Sequence, residues 1–168
     1  MPAVHDLVVS EGQLTVGDQS FRCALGRSGS TADKTEGDGA TPIGSFPLRR
    51  VLYRADRLDR PITDLSVARI DKHDGWCDDP GHPSYNQQIV FPFGASAEHL
   101  WRDDHLYDVV VVLGHNDSPV VPGAGSAIFM HVAAEGYSPT EGCVALAKPD
   151  LLNLLQDCSE QTLLAISA

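Results

Sequence analysis

The chain has 168 residues and a formal net charge of −11, with 23 acidic against 12 basic side chains. A field of that sign repels phosphate backbones and anionic lipid surfaces, which argues against a nucleic-acid or membrane-surface partner. An apolar share of 42% is enough for a hydrophobic core without disulfides or metal, and no run nears the roughly 20 apolar residues of a membrane span.

The length suits a single domain over residues 1–168, expected as a monomer. Fifteen Gly and eleven Pro, spread along the chain, favour short elements joined by turns, as in a mainly β fold. The opening MPAVHDLVVSEGQ has neither a basic n-region nor an apolar h-region, so no signal peptide is read there. Short β-like runs follow at Leu7–Val9, Gln13–Val16 and Phe21–Leu25. Arg27–Thr41 is polar and rich in Gly, Asp and Thr, and reads as a long surface loop of the kind that often carries function. An extended run is expected from Thr41 to Tyr53, then an irregular stretch from Asp71 to Asn86, and a short helical turn at Ser96–Trp101. Val109–Leu113 and Ala127–His131 are continuous apolar runs that predict buried strands. Gly142–Leu146 predicts a short strand and Thr162–Ile166 a closing one. Between them Lys148–Cys158 predicts a helix, with Pro149 in its first turn, Asp150 against the dipole, and Leu151, Leu152, Leu154 and Leu155 as an apolar face.

The chemistry concentrates in Ile128–Leu146, IFMHVAAEGYSPTEGCVAL. A thiolate is a strong nucleophile, and an imidazole can take the proton of the thiol or balance its charge, so His131 and Cys143 form a candidate base and nucleophile. Gly142 before Cys143 permits a tight turn that aims the N–H groups of Gly142 and Cys143 at one point, an oxyanion hole. A structural Cys and a satisfied core His explain the same two residues without chemistry.

Thr140-Glu141-Gly142-Cys143 and the upstream His131 resemble the active-site signature of the YkuD-type L,D-transpeptidases, a Ser/Thr-x-Gly-Cys element preceded by a His. KTEGDGATPIGSFPLR (34–49), the Trp76–Asn86 stretch with its closing Tyr-Asn, and LGHNDSPVVPGAGSAIFMH (113–131) resemble a short, compact subgroup of that family. The chain departs from the commoner His-Gly-Cys motif, which carries an Arg two places after the Cys: Glu141 and Ala145 stand at those positions. The resemblance implies an L,D-transpeptidase-like β-sandwich of mixed sheets with one or a few short helices. It also implies a cysteine acyl-enzyme mechanism on peptidoglycan stem peptides, donor and acceptor, giving 3→3 or 1→3 cross-links in the periplasm or cell envelope, with no metal or other cofactor.

Weaker expectations attach to substrate binding. Thr140 and Glu141 adjoin the nucleophile. Tyr85 and Asn86 belong to a loop that would wall the cleft, and Lys34, Glu36 and Asp38 lie in the polar loop. His115 is either a second imidazole at the cleft or a loop anchor, with the anchor preferred. His73-x3-Cys77-x4-His82 has loosely zinc-like spacing, but loop architecture is the better reading. Cys23 and Cys158 read as structural, and Trp76 and Trp101 as packing residues. Two other functions keep the same residues in view: a cysteine amidase or peptidase, in which water resolves the acyl-enzyme, and a non-catalytic wall-binding module.

Overall fold

The computed structural model describes residues 6–168; Met1–His5, the start of the opening segment read as carrying no signal peptide, lie outside them. Strands β1 (Leu7–Ser10), β2 (Gln13–Val16) and β3 (Gln19–Ala24) form an antiparallel meander, as their alternating short runs predict. The polar loop that follows is pinned at its ends by a parallel pair, β4 (Ser30–Thr31) and β5 (Thr41–Pro42). The long strand β6 (Gly44–Tyr53) comes next, then β7 (Val67–Arg69), β8 (Asp74–Cys77), β9 (Gln88–Val90), β10 (Ala97–His99), β11 (Val109–Leu113), β12 (Phe129–Val132) and β13 (Val144–Leu146). Helix α1 (Lys148–Leu155) and strand β14 (Leu163–Ile166) complete the order.

Two strands make the corners of a sandwich. The first half of β6 pairs with β14 and its second half with β11, so β6 passes from one layer to the other. β3 does the same on the far side, pairing with β2 through Gln19–Arg22 and with β13 through Cys23 and Ala24. The sheet order β11-β12-β13-β3-β2-β1-β14-β6 therefore returns to β11, and corner strands of this kind are how two packed layers join. Pairing is mixed: β1–β14, β12–β13 and β6–β7 are parallel, the rest of the main sheet antiparallel.

The period of two along a strand decides which side each residue faces. Val109, Val111, Leu113, Met130, Val132, Val144 and Leu146 point between the layers and join Leu7, Val9, Leu14, Leu164 and helix residues Leu151, Leu154 and Leu155. Their neighbours Val110, Val112, Phe129 and Cys143 point the other way, into a second cluster with Trp76, Leu100 and Tyr107. The three-stranded sheet β10-β8-β9 contributes Trp76 to that second cluster. Coverage on both faces is why β11 reads as an unbroken apolar run. It also puts His131 on the outer, cavity-bearing side.

Two expectations are corrected. Ser96–Trp101 is not helical: Ala97–His99 is strand β10, and pairing with β8 gives its backbone partners that one isolated helical turn would lack. The helix stops at Leu155, three residues short of Cys158, and Leu152 is only partly buried. Near the helix start lies a charge cluster. Asp108, fully buried, is held by Arg57 (2.7 Å), Lys148 (2.6 Å) and His105 (2.9 Å). Burial alone would raise its pKa; the hydrogen bonds from Lys148, Arg57 and His105, with the Lys148 charge, outweigh that and lower it.

Candidate active site

Cys143 sits at the entrance to β13 and is 7% exposed. Gly142 has φ +132°, and a Cβ there would stand 2.7 Å from the Ala40 carbonyl oxygen, so the chain can turn here only as glycine. The Cys143 carbonyl accepts the hydroxyls of Thr140 (2.8 Å) and Thr41 (3.4 Å), which fixes the peptide plane behind the thiol. The Gly142 N–H points to Thr140 Oγ1 at 3.2 Å, and none of the hydrogen bonds among the described residues uses the Cys143 N–H. The thiol donates to the Ala127 carbonyl (3.3 Å) and accepts from the Phe129 N–H (3.4 Å).

His131 lies on β12, hydrogen-bonded in parallel register to β13, where it faces Ala145. Its Nδ1 is 2.9 Å from the Val132 carbonyl oxygen. A carbonyl only accepts, so Nδ1 carries the proton and Nε2 keeps its lone pair. The edge of Tyr107 packs on the ring at 5.3 Å between centroids. Burial is the main reason the imidazole is held down at about 4, the Val132 bond opposing it, so the ring is neutral at pH 7. Burial likewise pushes the Cys143 thiol up to about 12, helped by the nearby Glu98 charge and opposed by the Phe129 N–H and Lys34.

Both groups line one cavity of about 460 Å³, with Lys34, Glu36, Asp78, Glu98, Arg102, Tyr107, Thr140, Glu141 and Ala145 among its walls. With the thiol near 12 and the imidazole near 4, proton transfer between them in the empty site is uphill by something on the order of 10 kcal/mol. The resting pair is neutral thiol and neutral imidazole. A buried, shielded thiol of this kind can act in acyl transfer when proton removal accompanies bond formation to a carbonyl placed in the cavity.

A family model described as the L,D-transpeptidase catalytic domain, YkuD, matches residues 5–166. The chain belongs to the YkuD family. That family is one of L,D-transpeptidases, enzymes of peptidoglycan in the cell envelope. Among solved structures, the crystal structure of Mycobacterium tuberculosis L,D-transpeptidase 1 is similar at 13% sequence identity and a TM-score of 0.47, over 98% of this chain and 60% of that one. This chain thus spans about 60% of the length of that protein. No curated protein matches it. Among the described residues, no helix is long and apolar enough to cross a membrane.

In this YkuD-family chain the other predicted residues divide into two groups. Lys34, Glu36, Thr140 and Glu141 reach the cavity wall. Lys34 is nearly buried and forms a close ion pair with Asp38. Glu141 is largely exposed and bonds Arg27 at 2.9 Å. Asp38, Tyr85, Asn86 and His115 are not among the residues that line the cavity; they hold its wall from behind. Asp38 accepts the N–H groups of Thr35 (3.0 Å) and Ala40 (2.9 Å). Burial pushes its carboxyl up, and Lys34 with these N–H groups wins, holding it at about 2.

Tyr85 donates to Glu36 Oε1 at 2.7 Å and accepts the Gly125 N–H at 3.0 Å. Asn86 takes the Trp76 indole N–H (2.9 Å) and the Ala127 N–H (3.0 Å) and donates to the carbonyls of His115 and Asn116. It thereby pins Ala127, whose φ of +54° turns its carbonyl to the thiol. His115 is the loop anchor: Nε2 lies 2.9 Å from the Ala124 carbonyl, and Phe46 packs edge-on.

His73, Cys77 and His82 are not brought together: among the described residues no group of three or more His, Cys, Asp or Glu has a metal-holding arrangement. His82 packs on Phe93, and Cys77 is buried in β8. Cys23 and Cys158 are buried free thiols pushed up to about 11 and about 12 by burial, and Trp101 lies under the Arg54 guanidinium at 3.5 Å.

Sequence reasoning missed Glu98, Arg102 and Tyr107, which wall the cavity, and Thr41 behind Cys143. Tyr107 donates a short hydrogen bond to Glu98, and Arg102 lies over the Tyr107 ring at 5.2 Å. Glu98 sits in a three-residue strand, too short to show a period, and only the fold brings it opposite Cys143.

Proposed function

We propose that this chain is a peptidoglycan L,D-transpeptidase, working as one catalytic domain over residues 1–168 in the periplasm or cell envelope, with Cys143 as nucleophile and His131 as base. The donor is a stem peptide whose carbonyl after a diaminopimelate-type residue enters the cavity beside the thiol. As Cys143 Sγ bonds to that carbon, its proton passes to His131 Nε2. The Cys143 N–H receives the developing oxyanion, joined by Gly142 once its N–H turns from Thr140. Collapse expels the terminal D-residue as an amine, which takes the proton from His131. An amine of a second stem then attacks the thioester, His131 accepts its proton, and the thiol is restored with a 3→3 or 1→3 cross-link formed.

The observation that supports this most is the shared cavity. A neutral imidazole with Nδ1 tied to Val132, and so an unprotonated Nε2, lines the same 460 Å³ space as a thiol held by Ala127 and Phe129. The test is mass spectrometry of the protein and its products after incubation with purified disaccharide-tetrapeptide, wild type against Cys143→Ala. A cross-linked dimer made by wild type and absent from the variant is expected, and its fragmentation separates 3→3 from 1→3. Tripeptide without dimer would mean hydrolysis. Turnover surviving in Cys143→Ala would refute the nucleophile.

A further inference from the structure

The resting oxyanion site is short of donors. The Gly142 N–H is spent on Thr140 Oγ1 at 3.2 Å, which leaves the Cys143 N–H as the free one of the two. Lys34 lies against the same turn. Its stem passes Gly125, where a Cβ would stand 3.0 Å from the lysine Cγ and 3.1 Å from its Cε, and a Cβ on Gly142 would stand 3.5 Å from its Nζ. These two glycines leave the room that carries the ammonium to the residue before Cys143. The lysine side chain is only 6% exposed, and Lys34 and Cys143 line one cavity. Its Nζ is gripped by Asp38, itself fixed by the N–H groups of Thr35 and Ala40, and donates to the Thr35 carbonyl at 3.2 Å. A lysine ammonium has three N–H donors, and these two bonds leave one. Burial and Glu98 push the Cys143 thiol up, while the Phe129 N–H and the Lys34 charge oppose them, so the ammonium stands within electrostatic reach of the sulfur.

We infer that Lys34 is a third oxyanion donor, whose remaining N–H bonds the carbonyl oxygen of the acyl donor as Cys143 Sγ attacks the carbon. The Sγ–C bond forms, the carbonyl π pair moves onto oxygen, and the thiol proton passes to His131 Nε2. The Lys34 proton stays on its nitrogen. On collapse the electron pair returns to the carbonyl and the leaving group departs. A charged donor set in place beforehand needs no reorganisation, and its bond strengthens as charge develops on the oxygen. A lysine normally spends rotamer freedom to make such a bond, but the Asp38 grip and the narrow passage between the glycines have already fixed this one. The inference rests on the transpeptidase reading for the acyl step, but its test needs no stem peptide.

Two reactions of Cys143 in the full chain separate this role from a structural one. Acylation by p-nitrophenyl acetate builds an oxyanion, and alkylation by iodoacetamide builds none; peptide mapping by mass spectrometry follows both at Cys143. Lys34→Met keeps the stem and removes the charge. It should lower the ratio of acylation rate to alkylation rate at least tenfold, since losing one oxyanion donor costs on the order of a hundredfold. The ratio isolates the oxyanion, because a looser loop or a higher thiol pKa slows both reactions alike. If Lys34→Met fails to fold, adding Asp38→Asn, which leaves no carboxylate unpaired, carries the same test. A smaller fall in the ratio, in whichever variant folds, overturns the donor. A ratio that falls as expected, in a wild-type protein that forms no thioester with the disaccharide-tetrapeptide, would keep the donor and reject the transpeptidase.

Discussion

Alkylation of the thiol separates a neutral Cys–His pair from a preformed ion pair. Burial pushes Cys143 up to about 12, so at pH 8 only about one part in ten thousand is thiolate. An ordinary free thiol near 8.5 is about a quarter ionised there. Iodoacetamide should therefore label Cys143 in the substrate-free protein at least a thousandfold more slowly than a free thiol of ordinary pKa. The shape of the pH profile decides more than the rate, because poor access slows labelling at every pH. The rate should climb about tenfold per pH unit from 6 to 10 with no plateau, since the imidazole near 4 is already neutral throughout. Peptide mapping by mass spectrometry assigns the label among the four buried thiols. His131→Ala should change this rate less than threefold, because the hydrogen bonds of the thiol run to Ala127 and Phe129 and not to the ring. A plateau between pH 5 and 8, or a tenfold loss in His131→Ala, would refute the neutral pair and restore a thiolate–imidazolium.

Three further outcomes follow from the same contacts. The folded-state value of His131 lies below its ordinary 6.5, so its contribution to stability is complete above pH 6.5 and is lost as pH falls to about 4. Wild type should lose roughly 3 kcal/mol more than His131→Gln across that window in urea titrations, and parallel curves would show the ring to be solvated. Asn86→Ala strips partners from Trp76, Ala127 and two carbonyls, so a loss of about 3 kcal/mol is expected by denaturant unfolding; under 1 kcal/mol would mean that these groups find other partners. Gly142→Ala drives a Cβ against Ala40 at a φ unsuited to alanine, and should cut acyl-enzyme formation at least tenfold and lower the melting temperature. Unchanged kinetics would show that the turn can relax.

Local pattern carried much of this fold into view. The meander, the buried runs at β11 and β12, and the helix opening with Pro149 were legible because each has a period or a cap that works within a few residues. The extent of α1 and the nature of Ala97–His99 were not, since one depends on packing at Cys158 and the other on a partner strand twenty residues away. Thr140-Glu141-Gly142-Cys143 and His131 stood out because one short segment holds them. Tyr85 and Asn86 were legible as members of the wall but not in their task, which is to hold Glu36 and Ala127 through bonds spanning 49 and 41 positions. Glu98 and Tyr107 carried no local signal: a carboxylate in a three-residue strand looks like any solvated charge.

Ala145 ties the departures of the sequence to the cavity. It lies two places after Cys143, is 1% exposed and lines the same space, so an arginine at this position would have to enter that space. Alanine leaves the room open, and the cations at the wall come from elsewhere: Lys34 from the polar loop, held by Asp38, and Arg102 from the segment after β10, held by Asp104. Both are already paired, whereas Asp78 and the second oxygen of Glu98 are not. The free polar capacity of this cavity is therefore acidic. A cavity of that sign disfavours the Cys143 thiolate, in keeping with the push of Glu98 on its pKa, and favours a cationic guest.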